Sequence, residues 1–215
     1  MSTELVLLTM AVVEFVSIIA LVKLPIRFVS SLIVVNLVLI SLYGSSLITV
    51  AGFTTNAGNI FYVAITFTFY ILIDKYGREV AYRAIWSSAF LLLLFILVSA
   101  LTSIMDGATP LYILPRLTFA SIAAFLVAQH INLHAYEKLL ARLGERFLWI
   151  RLNGANIITQ LVDSLIFFLI AFYATDISTS IWEIMIAGFL LKVLAGALAT
   201  CFLYLDRSLF RHSPS

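Results

Sequence analysis

One apolar stretch carries four polar side chains at helical spacing, and these residues are the best suited in the chain to do chemistry. They are separated by three, four and three residues, so they share one helix face: Asn153, Asn156, Gln160 and Asp163. The opposite face is apolar and consists of Ile157, Ile158, Leu161 and Leu165. Amides and carboxylates together offer hydrogen-bond donors and acceptors. The pattern predicts a helix face that binds a small polar molecule.

The preceding apolar stretch adds a second polar set. Gln129, Asn132 and Tyr136 share one face, and Arg116 lies at the start of the stretch. His130, His134 and Glu137 share another face with spacing that a metal site could use. Nothing elsewhere in the sequence completes a ligand set, so we predict neither a metal site nor a cofactor.

The composition sets the environment of these residues. Of 215 residues, 63% are hydrophobic and 11% are charged, and the mean hydropathy is +1.11. A soluble domain carries roughly a quarter charged residues, so the chain is expected to be a polytopic membrane protein. The net charge of +2 gives no basic patch for nucleic acid. No G-x-S-x-G, H-E-x-x-H or P-loop motif occurs, so we predict no enzymatic activity.

A membrane-spanning helix needs about 20 predominantly apolar residues, and seven stretches approach or exceed this length. We predict a single all-α membrane domain over residues 1–215. Its spans are residues 4–24, 28–50, 59–75, 84–105, 116–139, 153–174 and 181–205. The uncharged polar stretch at residues 52–59, which precedes the short third span, is predicted either as an ordinary loop or as irregular backbone that re-enters the bundle.

The basic residues predict the orientation. With seven spans, eleven of the thirteen Lys and Arg residues fall on one side, and short basic loops stay in the cytoplasm. We therefore expect the N-terminus outside and the C-terminus in the cytoplasm. The eleven are Lys23, Arg27, Lys75, Arg78, Arg83, Lys138, Arg142, Arg146, Arg151, Arg207 and Arg211.

Asp163 and Lys192 lie at the same depth in the last two spans. Each is 11 residues from the outer end of its span, at Ala174 and Ile181, or about 16 Å at roughly 1.5 Å per residue. An isolated charge at that depth costs about 2.5–3.5 kcal/mol, so we expect an ion pair. The pair either fixes the register of the two helices or takes part in function.

Several motifs resemble those of one membrane protein family. They are YGREVAYR at residues 76–83, RLTFAS at 116–121, WIRLNGAN at 149–156 and QLVD at 160–163, with Lys192 beyond them. Over about residues 52 to 205, the chain resembles the queuosine precursor transporter family, also called the vitamin uptake transporter family. The resemblance implies a core of six helices, with the first span as an addition, and transport of 7-deazaguanine bases.

The chain departs from the family pattern at several positions. Val63 and Tyr70 stand where the family usually carries Pro and Asp, although Asp74 keeps an acid nearer the loop. Asn132 stands at another Asp position, and Ala199-Thr200-Cys201 replaces an Asp-Thr-Pro sequence. These departures weaken the assignment of the exact substrate more than that of the fold.

We therefore predict an inner-membrane transporter that imports a queuosine precursor or a closely related nucleobase, with proton coupling as a hypothesis. The alternative is a transporter, or a substrate-capture subunit energised by a partner, for another heterocyclic vitamin-like solute. A homo-oligomer is compatible with the sequence, and the expected partners are the solute and the lipid bilayer. The candidate substrate-binding residues are Asn156, Gln160, Asp163, Lys192, Gln129, Asn132, Arg116 and Tyr70. Candidate stacking residues are Tyr70, Phe67 and Trp86.

Overall fold

A bundle of seven α-helices and one β-hairpin makes up the fold in the computed structural model. The structure describes residues 3–43, 47–50, 52–56, 58–105, 115–172 and 180–205. The helices are α1 (Thr3–Val22), α2 (Ile26–Tyr43), α3 (Gly58–Tyr76), α4 (Arg78–Met105), α5 (Pro115–Leu143), α6 (Leu148–Phe172) and α7 (Ser180–Leu205). The hairpin consists of β1 (Leu47–Val50) and β2 (Phe53–Asn56), and a 3-10 helix spans Glu145–Phe147. The predicted helical membrane bundle is confirmed.

Five helices are long and apolar enough to cross a membrane. Their qualifying segments are Thr3–Leu21, Ile26–Tyr43, Arg78–Thr102, Leu148–Ile170 and Met185–Phe202. Large apolar side chains on these segments are exposed on the outside of the bundle, as lipid contact requires; Leu94 of α4 and Leu194 of α7 are examples. The chain is therefore a multi-pass membrane protein.

Local sequence signals explain where several helices begin and end. Pro25 separates α1 from α2, since a proline disfavours helical backbone in the residue before it. Gly77 ends α3 with a φ of 85°, and its N–H donates to the Ile73 carbonyl at 3.1 Å. Gly144 ends α5 in the same way, with a φ of 61° and a bond to the Leu140 carbonyl of 2.9 Å. Glycine adopts this left-handed conformation without a steric penalty.

The second predicted span, residues 28–50, is wrong at its C-terminal end. Helix α2 ends at Tyr43, and Leu47–Val50 forms strand β1, which pairs antiparallel with β2. The sequence of β1 is Leu-Ile-Thr-Val, in which three of four residues are β-branched, so it favours a strand although it is apolar enough for a span. Hydropathy cannot distinguish this strand from the end of a membrane span, because it measures the preference of side chains for an apolar environment and not the backbone conformation.

The hairpin lies against the bundle. Strand β2 packs against α7, where Thr55 and Asn59 approach Gly188. Gly188 is eight residues into α7, or about 12 Å from its first residue at roughly 1.5 Å per residue. The Asn59 amide donates to Thr55 Oγ1 at 2.9 Å, which pairs two buried polar groups. This arrangement favours the re-entrant interpretation of residues 52–59.

Helix α3 occupies the centre of the bundle. It contacts each of the other six helices, and every residue from Gly58 to Asp74 is buried. Polar groups on the facing sides of α5, α6 and α7 therefore meet the side chains of α3 and not lipid.

The predicted amphipathic face of α6 is confirmed. Asn156 and Gln160 are fully buried, and Asn153 and Asp163 are nearly so. The opposite side chains are between 43% and 50% exposed: Ile157, Ile158, Leu161 and Leu165.

The predicted basic connection between the fifth and sixth spans is shorter than expected. Helix α5 continues to Leu143 and α6 begins at Leu148, so Arg151 belongs to α6 and not to a loop. The prediction of orientation places Arg151 in a basic loop, but this residue is only 1% exposed. It is part of the polar interior described next.

Candidate functional site

An ion pair between α6 and α7 lies near the middle of the bundle. Lys192 Nζ is 2.9 Å from Asp163 Oδ2, and the two side chains are 11% and 12% exposed. The Tyr62 hydroxyl of α3 donates to Asp163 Oδ1 at 2.8 Å, and Lys192 Nζ lies 4.5 Å from the centroid of the Tyr62 ring. We call Tyr62, Asp163 and Lys192 the central triad. The expected pairing of Asp163 with Lys192 is confirmed.

A network of amides lies on the α5 and α6 side of this triad. Gln160 donates to Asn156 Oδ1 at 3.0 Å within α6. Asn132 donates to Gln129 Oε1 at 3.1 Å within α5, and the Thr159 hydroxyl joins the helices by donating to Asn132 Oδ1 at 2.8 Å. All five side chains are fully buried. The predicted residues Gln129, Asn132, Asn156 and Gln160 therefore share one interior region.

Three amide atoms in this network have unused hydrogen-bonding capacity. Among the described residues, Asn156 Nδ2, Gln160 Oε1 and Gln129 Nε2 have no hydrogen-bond partner. Gln129 approaches the Tyr62 hydroxyl without forming a bond of good geometry. A buried polar atom left unsatisfied costs about 1–3 kcal/mol, so such atoms usually mark a place that another molecule fills. Two donors and one acceptor are open here.

Helices α6 and α7 are closed over the amides. Asn156 Nδ2 lies so close to Gly196 that a Cβ at this position would collide with it. Towards the C-terminal end of α7, Asn153 donates to Thr200 Oγ1 at 2.9 Å, and the Trp149 N–H donates to the Tyr204 hydroxyl at 3.1 Å. A ligand that enters between α6 and α7 would have to open this line of contacts to reach the Asn156 amide.

A second group of the same chemical types lies at the end of the bundle where α3 and α5 finish. Tyr136 donates to Asp74 Oδ1 at 3.2 Å, and Arg151 Nη2 is 3.8 Å from the same oxygen. The Arg151 guanidinium carbon lies 4.9 Å from the centroid of the Tyr136 ring. We call Asp74, Tyr136 and Arg151 the basic-end triad, because Lys75 and Arg78 also lie at this end.

Tyr70 belongs to the surroundings of the basic-end triad and not of Asp163. Its ring stacks on Tyr136 with a centroid distance of 4.8 Å and an angle of 20°, and Phe67 packs edge-on against it at 5.3 Å. All three aromatic side chains are fully buried.

The remaining candidates lie elsewhere. Arg116 belongs to the first turn of α5, and its side chain is outside the described residues. Trp86 is 59% exposed beside His130 on the outer surface, so it does not stack in the interior. His134 Nδ1 is 2.8 Å from the Tyr82 hydroxyl, and Glu137 pairs with Arg78. Within the described ranges, no group of three His, Cys, Asp or Glu residues is arranged to hold a metal.

Sequence reasoning missed Tyr62, Thr159 and the pairing of Asp74 with Arg151. Tyr62 is one of 29 aromatic residues, and nothing in its immediate neighbourhood distinguishes it. A usable signal existed for the other pair: Asp74 ends an apolar span at the basic end, and Arg151 is flanked by the apolar residues Ile150 and Leu152. An acid and a base at one depth, each beside apolar sequence, predict a pair there as well.

Comparison with known proteins identifies relatives. Residues 56–205 match the family model described as "Putative vitamin uptake transporter". The chain is 30% identical over 168 residues to the "Probable queuosine precursor transporter" of Bacillus subtilis (strain 168), an alignment that covers 71% of this chain and 72% of the relative. No solved structure matches the chain significantly. The family match spans α3 to α7, which contain both triads, and so the chain belongs to the vitamin uptake transporter family.

Proposed function

We propose that the protein is a transporter that imports a queuosine precursor, a 7-deazaguanine base, and that the central triad and its neighbouring amides bind it. The family and the name of the Bacillus subtilis relative support this substrate. The proposed activity is transport and not catalysis.

The open amide atoms carry the proposal. The lactam edge of a guanine-like ring presents an N–H donor beside a carbonyl acceptor. Gln160 Oε1 can accept from the ring N–H and Asn156 Nδ2 can donate to the carbonyl, because both atoms are buried and unpartnered among the described residues. Gln129 Nε2 offers a second donor for the pyrrole side or the carbonyl, and Asn132 holds Gln129 in place.

Asp163 would take part at a later step. Its two carboxylate oxygens already accept from Tyr62 and Lys192. A carboxylate has about four lone-pair sites, so Asp163 can also accept from the exocyclic amine of the base, and a close approach of this amine would displace Lys192. The amides would bind the base first, and Asp163 would then exchange Lys192 for the exocyclic amine of the base.

This exchange suggests a route for proton coupling. A lysine that loses its carboxylate partner in a poorly hydrated site readily gives up its proton, and a carboxylate that loses its lysine readily takes one up. If Asp163→Asn leaves both the uptake rate and its pH dependence in vesicles unchanged, the coupling mechanism is wrong.

We further propose that the protein lies in the cell inner membrane with its N-terminus outside and the basic end in the cytoplasm. The connections α1–α2 and α3–α4 carry Lys23, Lys75 and Arg78 near helix ends, and such short basic segments stay in the cytoplasm. The hairpin would then close the outer side of the site. Cysteine accessibility of the hairpin in intact cells would test this orientation, and labelling only after cell lysis would contradict it.

A second candidate substrate is another heterocyclic vitamin-like solute, taken up alone or through an energising partner protein. It is favoured by Tyr70 and Asn132, which stand where the family carries carboxylates. Both are neutral at physiological pH, so the interior has fewer acceptors for ring amines than the family pattern implies.

The deciding experiment uses a strain that cannot make queuosine precursors and lacks its own importer. Expression of this chain with supplied 7-deazaguanine base should restore queuosine in tRNA, whereas a Gln160→Leu variant should not. Ile157→Ala, which alters an exposed side chain of the same helix, is the matched control and should behave as the wild type. If the wild type is present in the membrane and gives no queuosine at high precursor supply, the substrate assignment fails. Uptake by purified protein in vesicles would exclude an obligatory partner.

A further inference from the structure

We propose that Tyr70 and Tyr136, with Arg151 beside them, form a second binding station at the basic end, which takes a planar heterocycle between the two tyrosine rings. The inference rests on the proposed transport function, because it describes where the same ligand goes after it leaves the central triad. The ligand class is a flat aromatic ring system with a hydrogen-bonding edge.

The geometry of the two rings is the first argument. Tyr70 of α3 and Tyr136 of α5 lie nearly parallel at a centroid distance of 4.8 Å, and both are fully buried. Carbon atoms in contact lie about 3.5–4.0 Å apart, so a flat ligand fits between the rings when they separate to about 7–8 Å. Such a ligand replaces one ring–ring contact with two, and this gain offsets part of the cost of separating the rings for flat molecules and not for puckered ones.

Unused polar groups at the station are the second argument. The Tyr70 hydroxyl approaches Thr159 without forming a hydrogen bond of good geometry, and Arg151 Nε has no partner in the part of the chain that the structure describes. The guanidinium of Arg151 also lies 3.8 Å from Asp74 and 3.4 Å from the Gly144 carbonyl, and it approaches the Tyr136 hydroxyl. A guanidinium offers five N–H donors. A ligand carbonyl at the ring edge could accept from the unpartnered Arg151 Nε.

The position of the station in the bundle is the third argument. Tyr62 of the central triad and Tyr70 lie eight residues apart on α3, or about 12 Å at roughly 1.5 Å per residue. Gln129 approaches Tyr62, Asn132 bonds Gln129 and Thr159, and Thr159 approaches Tyr70. Buried polar side chains therefore line the way between the two stations, and hydrogen bonds of good geometry join those in its middle. A base released by the central triad would reach the stacked tyrosines in one step towards the basic end.

The test compares three proteins in proteoliposomes: the wild type, Tyr70→Phe and Tyr70→Leu. The measurements are the uptake rate of a tritiated 7-deazaguanine base and its equilibrium binding in detergent. Stacking on an aromatic side chain is worth about tenfold or more per base. We expect Tyr70→Leu to lower the uptake rate by about tenfold with equilibrium binding unchanged, because the central triad is intact. Tyr70→Phe keeps the ring and loses only the hydroxyl, so its uptake rate should lie between those of the wild type and Tyr70→Leu.

Photolabelling of the wild-type protein makes the test independent of variant folding. An azido-substituted 7-deazaguanine base, activated after uptake has begun, should label peptides that contain Tyr70 and Tyr136 as well as peptides around Asp163. Labelling confined to the central triad, or wild-type uptake by Tyr70→Leu, would overturn the second station while leaving the proposed substrate standing. If the wild type neither takes up nor is labelled by the base, the proposed function fails and the station fails with it.

Discussion

The central triad and the basic-end triad each contain a tyrosine, an aspartate and a cation in the same relative arrangement. In each, a tyrosine hydroxyl donates to an aspartate, a cation pairs with that aspartate, and the cation lies against the ring of the same tyrosine. They differ in the cation, in the distances and in burial. The central ion pair measures 2.9 Å and the basic-end pair 3.8 Å, although the basic-end side chains are only 1% and 3% exposed.

This difference assigns the triads different physical roles. A buried lysine can lose its proton when its partner is removed, whereas an arginine stays charged under all ordinary conditions. The proposed exchange of partners during transport would use this property of lysine at the central triad. The basic-end triad keeps its charge and can change only by moving, which suits a station that opens and closes.

The largest expected effect comes from removing each carboxylate in turn. Asp74→Asn leaves the Arg151 guanidinium buried and charged, and breaking a buried pair in this way costs about 3–5 kcal/mol of unfolding free energy. Asp163→Asn should cost less, because the central side chains are 11% and 12% exposed against 1% and 3% at the basic end, and a flexible lysine can turn its ammonium towards water. Denaturant unfolding of both variants in the same detergent measures the difference. Arg151→Met added to Asp74→Asn should recover part of the loss. If Asp163→Asn were less stable than Asp74→Asn, the predicted difference between the two triads would be wrong.

Removal of a tyrosine hydroxyl should destabilise the protein more at the central triad than at the basic-end triad, which is the reverse of the order expected for the carboxylates. The Tyr62 hydroxyl lies 2.8 Å from its carboxylate and that of Tyr136 lies 3.2 Å from its own. A short hydrogen bond to a charged group contributes about 1.5–3 kcal/mol, so Tyr62→Phe should lose that much stability and Tyr136→Phe about 1 kcal/mol. The same unfolding assay applies. Equal losses would show that bond length does not distinguish the triads.

Of the two triads, helix α7 contributes only to the central one, and its glycines offer a selective way to disturb the amides beside that triad. A Cβ at position 196 collides with the Asn156 amide, so Gly196→Ala should cost about 1–3 kcal/mol and also lower uptake. Gly188→Ala is the matched control, since its Cβ would lie 3.3 Å from Asn59 Nδ2 and needs only a small adjustment. If Gly188→Ala reduced uptake as strongly as Gly196→Ala, the close approach of α6 and α7 at Asn156 would not explain the loss of uptake.

The smallest effect is expected for an ion pair outside both triads. Arg78 and Glu137 pair at 3.7 Å with side chains 55% and 28% exposed. Exposed pairs contribute about 0–1 kcal/mol, so Glu137→Gln should unfold within that margin of the wild type. A loss comparable to that of Asp163→Asn would mean that burial does not separate the triads from ordinary surface pairs.

The sequence predicted the features that depend on periodicity and depth. The polar face of α6 follows from the spacing of Asn153, Asn156, Gln160 and Asp163. The pairing of Asp163 with Lys192 follows from equal distances to the predicted span ends at Ala174 and Ile181. These predictions succeed because helix geometry converts residue number directly into direction and height.

Other features cannot be predicted from periodicity and depth. Arg151 and Asp74 lie near the span ends, where charged residues are usually in loops, and they are buried only because α6 packs against α5 and α3. Leu47–Val50 is apolar enough to extend the second span, and it forms a strand because it pairs with β2. The partner of Asp163 on α3 depends on which helix occupies the centre, which no local pattern of Tyr62 reveals.

The enclosure of α3 has a consequence for how the protein is made. Every residue from Gly58 to Asp74 is covered by other parts of the chain, and α3 is not among the five helices whose composition alone suits a bilayer. Helix α7 is the last in the chain of the helices that contact α3. The full set of contacts around α3 therefore exists only once α7 has been synthesised. We expect the native packing of α3 to form late, after α7 has joined the bundle.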